Sequence, residues 1–298
     1  MGFRIATRGS ALARWQADHV AALLAARGHR DIELVIVETT ADRRLDIPID
    51  AMGGKGVFVK EVQAAVLDGR ADLAVHSAKD LPALTPPGLV IAAVPERADA
   101  RDVLVGARLR DLPMGAHVAT GSIRRRAQLA GVRPDLRFSG LRGNIATRLE
   151  RAGDFDAIVM AKAALDRLGL HPEVVDVLDP ATMLPQVGQG ALAVECRAAD
   201  DARRHVLAAI EHPASRRVVD AERAFLAALG GDCDLPAGAH AVLDADVVTV
   251  RGMLAARDAS TILRETRHGA DGPAVGRSVA QALIDRGGAA LLHDRRPT

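Results

Sequence analysis

A thiol stands in a run of turn-forming residues, Gly230-Gly231-Asp232-Cys233-Asp234-Leu235-Pro236-Ala237-Gly238. Glycines before Cys233 and Pro236 and Gly238 after it predict a loop, from which a side chain can point into a cleft. Such a thiol could be a nucleophile, a metal ligand, an attachment point or none of these. No Cys-x-x-Cys and no histidine pair at ligand spacing accompanies it, which argues against a metal site. The other cysteine, Cys196, adjoins the apolar run Ala191 to Val194.

A second group with chemical capacity is His76-Ser77-Ala78-Lys79-Asp80-Leu81-Pro82, directly after the apolar run Leu73 to Val75. That places it at the carboxyl end of a strand. Asp80 beside Lys79 is a carboxylate whose ionised form the neighbouring cation favours. It could shuttle a proton or stabilise a developing cation. A turn aspartate ahead of Pro82 is the competing reading. His76 reads as a packed or hydrogen-bonded histidine rather than a base.

Three strand-to-helix junctions share one chemistry: Thr7-Arg8-Gly9-Ser10, Thr120-Gly121-Ser122-Ile123-Arg124-Arg125-Arg126 and Leu141-Arg142-Gly143-Asn144. Each puts an N-cap residue at a helix start with arginine close by. Cations there oppose the helix macrodipole, so solvated arginines alone would gain nothing from the position. Free backbone N–H groups together with arginine make an anion site. Arg148 and Arg167 could extend the same surface. The pattern predicts a ligand with several carboxylates or phosphates. Gly53-Gly54-Lys55-Gly56 lacks the spacing of a nucleotide phosphate loop. Its glycines suit a loop that approaches closely and delivers Lys55 and Phe58, with plain turn chemistry as the alternative. Of the 39 lysines and arginines only Lys55, Lys60, Lys79 and Lys162 are lysine. Three of these fall in two short motifs, where a lysine could do what arginine cannot.

Composition narrows the classes. With 298 residues, 26% charged and a formal net charge of +1, the chain reads as a soluble globular protein of two or three domains. That charge gives no general attraction to nucleic acid or an anionic membrane. One tryptophan and no tyrosine leave little for a base-stacking surface. Two cysteines cannot staple a chain of this size, which suits a reducing cytoplasm. Neither a signal-peptide core nor a bilayer-length apolar run is expected.

The elements that must position these groups alternate. Strands are expected at 3–7, 32–37, 73–75 and 89–94, with helices from Ser10 to about Arg27 and over 57–67. The rhythm repeats with strands at 118–120, 136–138, 157–160 and 191–194 and helices at 123–130, 144–151 and 163–168. It implies largely parallel sheets covered by helices, whose carboxyl ends carry ligands. A helix over about 214–229, strands at 239–243, 247–254 and 260–266 and a helix near 275–286 form a different, smaller α+β unit.

Taken together and in order, these motifs resemble hydroxymethylbilane synthase (porphobilinogen deaminase). The resemblance also rests on Glu96-Arg97-Ala98-Asp99-Ala100-Arg101-Asp102 and Leu184-Pro185-Gln186-Val187-Gly188-Gln189-Gly190-Ala191, and runs from about Ile5 to beyond His240. It implies two periplasmic-binding-protein-like α/β domains around a cleft plus a smaller C-terminal α+β domain. The division is 1–100 with a return segment 190–210, then 101–189, then a cofactor-anchoring 211–298. It implies a transferase that joins four porphobilinogen units head to tail, releasing ammonia, on a dipyrromethane cofactor attached by a thioether to Cys233. Asp80 matches the catalytic aspartate, which handles protons and stabilises cationic azafulvene and pyrrole intermediates. Arg8, Arg124, Arg125, Arg142 and Arg148 match the arginines that hold acetate and propionate groups, with Arg167 near the entry route. Ser10, Lys79, Thr120, Ser122 and Gln189 match further polar contacts, and Lys55 and Phe58 lie on a covering loop. No metal is implied. The partners implied are porphobilinogen, the growing polypyrrole and uroporphyrinogen-III synthase as recipient of the product, with a monomeric cytoplasmic enzyme and no nucleic acid or membrane.

Some positions depart from that pattern. Asp232 separates Gly231 from Cys233 where Gly-Gly-Cys is common, Ala41 and Ala164 replace glycines, and Gly121 stands where a hydroxyl is usual. Two rival classes are a solute-binding protein using an anion cleft without chemistry, and a cysteine hydrolase built on Cys233. The hydrolase would need a paired base.

Overall fold

The structure is a computed structural model, and it describes residues 2–39, 59–230 and 235–293. The chain divides into two compact units, Met1–Ala98 with Ala191–Arg216, and Asp99–Gly190 with Arg217–Thr298.

The first unit is built on β1 (Phe3–Arg8), β2 (Ile32–Val37), β3 (Leu73–Ser77), β4 (Leu89–Ala93) and β10 (Leu192–Arg197), in the order β2-β1-β3-β10-β4. Strands β1, β2 and β3 are parallel, and β10 runs antiparallel to both of its neighbours. Ser10 caps the helix Ala11–Ala25 by accepting the amide of Ala13. That helix buries Gln16, Ala17, Val20 and Leu24, a helical stripe, against the sheet. The helix expected from residue 57 is described from Lys60 to Leu67, its start lying outside the described residues.

In the second unit the strands β5 (Asp102–Val105), β6 (His117–Ala119), β7 (Arg137–Ser139), β8 (Ala157–Ala161) and β9 (Val175–Val177) lie in the order β7-β6-β8-β5-β9. Again one strand, β5, is antiparallel to both neighbours, and the other four run in one direction. Both sheets are therefore mixed where largely parallel sheets are expected from the sequence. An apolar run carries no direction, so its pattern cannot tell whether it is inserted with or against its neighbours. Strands β5 and β9 and the helix Asp201–Ala208 lie outside the expected elements.

The same unit holds the meander β11 (Ala237–Asp244), β12 (Val247–Ala255) and β13 (Ile262–Gly269), covered by the helices Pro213–Ala228 and Gly272–Leu283. Its edge joins the rest through Ala239, whose amide donates to the Pro185 carbonyl at 3.1 Å. The buried Glu222 adds two bonds, accepting the amides of Gly188 at 2.7 Å and Ala241 at 2.8 Å. The two covering helices touch backbone to backbone. A Cβ on Gly276 would sit 2.0 Å from the Ala221 carbonyl oxygen.

Gly276→Ala must therefore push these helices apart. The substitution is expected to cost about 1–3 kcal/mol, the usual range for overpacking. It should lower the urea midpoint without changing the slope. A midpoint equal to the wild type would show that the pair is not held at this separation.

Candidate active site

In the first unit, β1 and β3 are parallel neighbours in the register Ile5 with Leu73 and Ala6 with Ala74. Their carboxyl ends therefore emerge side by side. β1 runs into Arg8 and Ser10, and β3 into the single turn Ala78–Asp80. Around these ends is a cavity of about 60 Å³ whose polar lining is Arg8, Ser10, Gln16, His76, Ser77 and Asp80. Arg8, Ser10, Lys79 and Asp80 are half-buried. The buried Gln16 donates from Nε2 to Ser77 Oγ at 2.7 Å, so the serine hydroxyl proton is directed elsewhere. His76 is buried, with Nε2 3.2 Å from Oε2 of the fully buried Glu195. That same oxygen accepts from Gln63 Nε2 at 2.9 Å. The histidine is thus packed toward a carboxylate, as its place in an apolar strand suggests.

In the second unit, β6, β7 and β8 are parallel, and their carboxyl ends carry the remaining expected groups. Ser122 caps the helix Ile123–Val132, accepting from the Arg125 amide at 3.4 Å, and Thr120 Oγ1 accepts from the Ser122 amide at 3.2 Å. Asn144 caps the helix Ile145–Glu150 through the Thr147 amide at 3.0 Å. Gly143, just before it, has φ +110°, a conformation that glycine alone adopts readily. Arg142 and Arg148 are half-buried, and Arg148 Nε donates to the Gly143 carbonyl at 2.8 Å. Arg167 Nη2 donates to the Gly190 carbonyl at 2.7 Å, and burial pulls its pKa down to about 10. A Cβ at Gly121 would stand 3.2 Å from the Leu141 carbonyl oxygen, so a hydroxyl residue there would crowd that turn.

Arg124, Arg125 and Gln189 are placed differently. All three are buried around Asp102, which is itself fully buried. Asp102 Oδ2 accepts from Arg124 Nη2 at 2.8 Å. Oδ1 accepts from Arg125 Nη2 at 2.7 Å and Nε at 3.1 Å, and from Gln189 Nε2 at 2.8 Å. The remaining bonds go to backbone. Arg124 Nη1 donates to the Leu184 carbonyl, Arg125 Nη1 to Val159 at 2.9 Å and Gln189 Nε2 to Ala100 at 2.7 Å. Arg124 Nε is buried with no hydrogen-bond partner among the described residues. Burial acts to raise the Asp102 pKa, but Arg124 and Arg125 outweigh it and hold it at about 2. Asp102 and Gln16 are absent from the residues expected from sequence. The available signal for Asp102 was the adjacent arginine pair, which if buried demands a carboxylate.

Cys233, Lys55 and Phe58 lie outside the described residues, as do Ala41 and Asp232. Cys196 is buried, and burial pushes its thiol up to about 11, which keeps it protonated and inert. Among the described residues no helix is long and apolar enough to cross a membrane, and no group of three metal-ligating side chains forms.

Fold and side chains thus define an α/β protein whose parallel strands end in hydroxyls, arginines and one carboxylate. Residues 3–205 match the family model described as porphobilinogen deaminase, dipyromethane cofactor binding domain, and residues 217–285 match its C-terminal domain. The porphobilinogen deaminase of Syntrophobacter fumaroxidans is 45% identical over 300 residues, covering 98% of this chain and 97% of that protein. That of Roseiflexus castenholzii is 46% identical over 295 residues, covering 97% of each. Similar solved structures include the methionine binding protein MetQ, at 13% identity and TM-score 0.41, covering 70% of this chain and 89% of that one. The chain belongs to the porphobilinogen deaminase family.

The Asp102 cluster makes a prediction about acid. Its folded pKa of about 2 lies below the ordinary 3.8, so its contribution to stability is complete above pH 4 and is lost as pH falls toward 2. A shift of this size corresponds to roughly 2 kcal/mol. The stability advantage of the wild type over Asp102→Asn, measured by urea unfolding, should shrink over that window. An advantage that is constant from pH 6 to pH 2 would show that Asp102 is not held ionised by the arginines.

Proposed function

We propose that this protein is the transferase of tetrapyrrole biosynthesis that builds hydroxymethylbilane from four porphobilinogen molecules on a dipyrromethane primer. The observation that carries the reading is the set of strand ends, bearing hydroxyls and arginines together with Asp80, in a chain of this family. In each condensation a C–C bond forms between the incoming aminomethyl carbon and the chain's free pyrrole carbon. The C–N bond breaks, its electron pair leaves with nitrogen, and the pyrrole C–H proton is given up, so the by-product is ammonia.

The residues present fit the primer. Each pyrrole carries two carboxylates, and the chain offers fixed donors for them. Ser10 and Ser122 accept backbone amides as caps and keep their hydroxyl protons to donate. Arg8, Arg142 and Arg148 supply forked cationic donors. Around Asp102 two guanidinium groups face one carboxylate, which leaves one positive charge and the unpartnered Arg124 Nε for an anion. When bound, the dipyrromethane supplies the free pyrrole position at which growth starts. Cys233, which lies in sequence between the helix Pro213–Ala228 and β11, is the proposed anchor through a thioether.

Asp80 is assigned the proton work. As ammonia departs from porphobilinogen, a cation is left on the substrate, and a carboxylate beside it lowers that cost. The same carboxylate can accept the pyrrole proton and return it to the leaving amine. Thr120 and Arg167 are assigned to substrate carboxylates, and Lys55 and Phe58 to the covering loop. Gln189, whose amide donates to Ala100 and Asp102, is assigned to the support of the arginine pair. A monomeric, cytoplasmic enzyme that passes its product to uroporphyrinogen-III synthase completes the proposal, supported by the family resemblance.

Intact mass of the purified protein should exceed the sequence mass by two linked pyrroles, and Cys233→Ala should lack the increment. Active wild-type protein with the bare sequence mass would overturn the anchor. Asp80→Asn should keep the increment while kcat falls by about 10²-fold or more, the usual size of an acid–base contribution. Turnover close to that of the wild type would remove Asp80 from the mechanism.

A further inference from the structure

Two arginines adjacent in sequence, both buried, share a single carboxylate. Arg124 and Arg125 are 3% and 7% exposed and Asp102 is 0% exposed. No second carboxylate pairs with either guanidinium among the described residues. The cluster therefore carries one net positive charge away from water, which is costly unless something anionic completes it. Asp102 is also saturated. Its Oδ1 takes three N–H groups and its Oδ2 one, from two arginines and Gln189. With the two backbone bonds, they leave one N–H on each terminal nitrogen of both arginines and the Nε of Arg124 unassigned.

We propose that Asp102 is a positioning residue for cofactor capture: it fixes the two guanidinium groups and cancels one of their charges, so that the pair takes a single carboxylate of the dipyrromethane. The inference rests on the reading of this protein as a dipyrromethane-bearing transferase. Hydrophobic groups of similar volume would hold these segments together at least as well as a buried ion pair. Retaining three ionised groups at one buried point is explained by the anion they admit. An asparagine at 102 would present an NH₂ group to guanidinium N–H donors and leave two positive charges uncompensated. One cluster would then both repel itself and lose the aim of its free donors.

The test compares wild type, Asp102→Asn and Asp102→Glu by intact mass, with near-ultraviolet circular dichroism to establish folding. Asp102→Asn should be folded and should lose the two-pyrrole increment. Asp102→Glu keeps the carboxylate and both arginines, so the increment should return at least in part. A site that needs only the volume of residue 102 would be served by the isosteric asparagine and not by the longer glutamate. A folded Asp102→Asn protein with the full increment overturns the proposal, and so does one that does not fold, since Asp102 is then needed for the fold itself. A folded Asp102→Glu protein as empty as Asp102→Asn overturns it as well. Wild-type protein without the increment fails the cofactor reading itself, and the inference falls with it.

Discussion

Guanidinium groups that cannot reach water set the strictest condition on this chain. Arg124 and Arg125 are buried at the start of one helix, and the whole second unit is arranged so that Asp102, at the start of β5, meets both. Arg124 also binds the carbonyl of Leu184, Arg125 that of Val159, and Gln189 that of Ala100. Four separate stretches of backbone thus converge on one carboxylate. Removing one partner from such a group typically costs about 3–5 kcal/mol, because the charge left behind has no water to turn to. The helix start, the strand and the Leu184 to Gln189 segment are consequently fixed together.

The two ends of the first sheet divide their labour. At the amino ends of β1 and β3, Asp72 is surrounded by Arg4, Arg197 and Arg203, with contacts of 3.0, 3.7 and 2.9 Å. Asp72 there is matched by backbone and side-chain donors and has nothing left to offer. At the carboxyl ends, Ser77, Arg8 and Asp80 line a cavity. Parallel pairing is what separates these roles, since it sends all amino ends one way and all carboxyl ends the other. The second sheet repeats the arrangement with different residues, four strands in one direction and one reversed strand in the same place in the order.

Much of this was legible in the sequence because it is local. Ser10, Ser122 and Asn144 are N-caps by residue type and position, and all three cap the helices expected after them. The β1, β2 and β3 positions follow from apolar runs bounded by turn residues. What local pattern cannot carry is direction and distance. Strand β10 reads as apolar whichever way it runs, and β5 and β9 are short strands within connecting stretches. Asp102 lies 22 residues from Arg124. Only the folded chain shows that the arginines point inward to it, since arginine at a helix start is ordinarily solvated. Cys233 and the Gly53-Gly54-Lys55-Gly56 motif belong to segments outside the described residues, so their roles rest on motif and family.

Strand β10 has a consequence for how the protein is made. It fills the position between β3 and β4, pairing Leu192 with Ser77 and Cys196 with Leu73. Synthesis runs from the amino terminus, so β3 and β4 leave the ribosome long before the strand that joins them. Until about residue 197 has emerged, β3, buried along Leu73 to His76 in the finished protein, lacks its partner on one side, and β4 lacks β10. Loop closure over such a span is slow, and exposed apolar edges are where nascent chains associate wrongly. A chain stalled or truncated before residue 190 would thus be both incomplete in its second unit and open in its first. The return strand makes completion of the N-terminal sheet a signal that the second five-stranded sheet has already been synthesised.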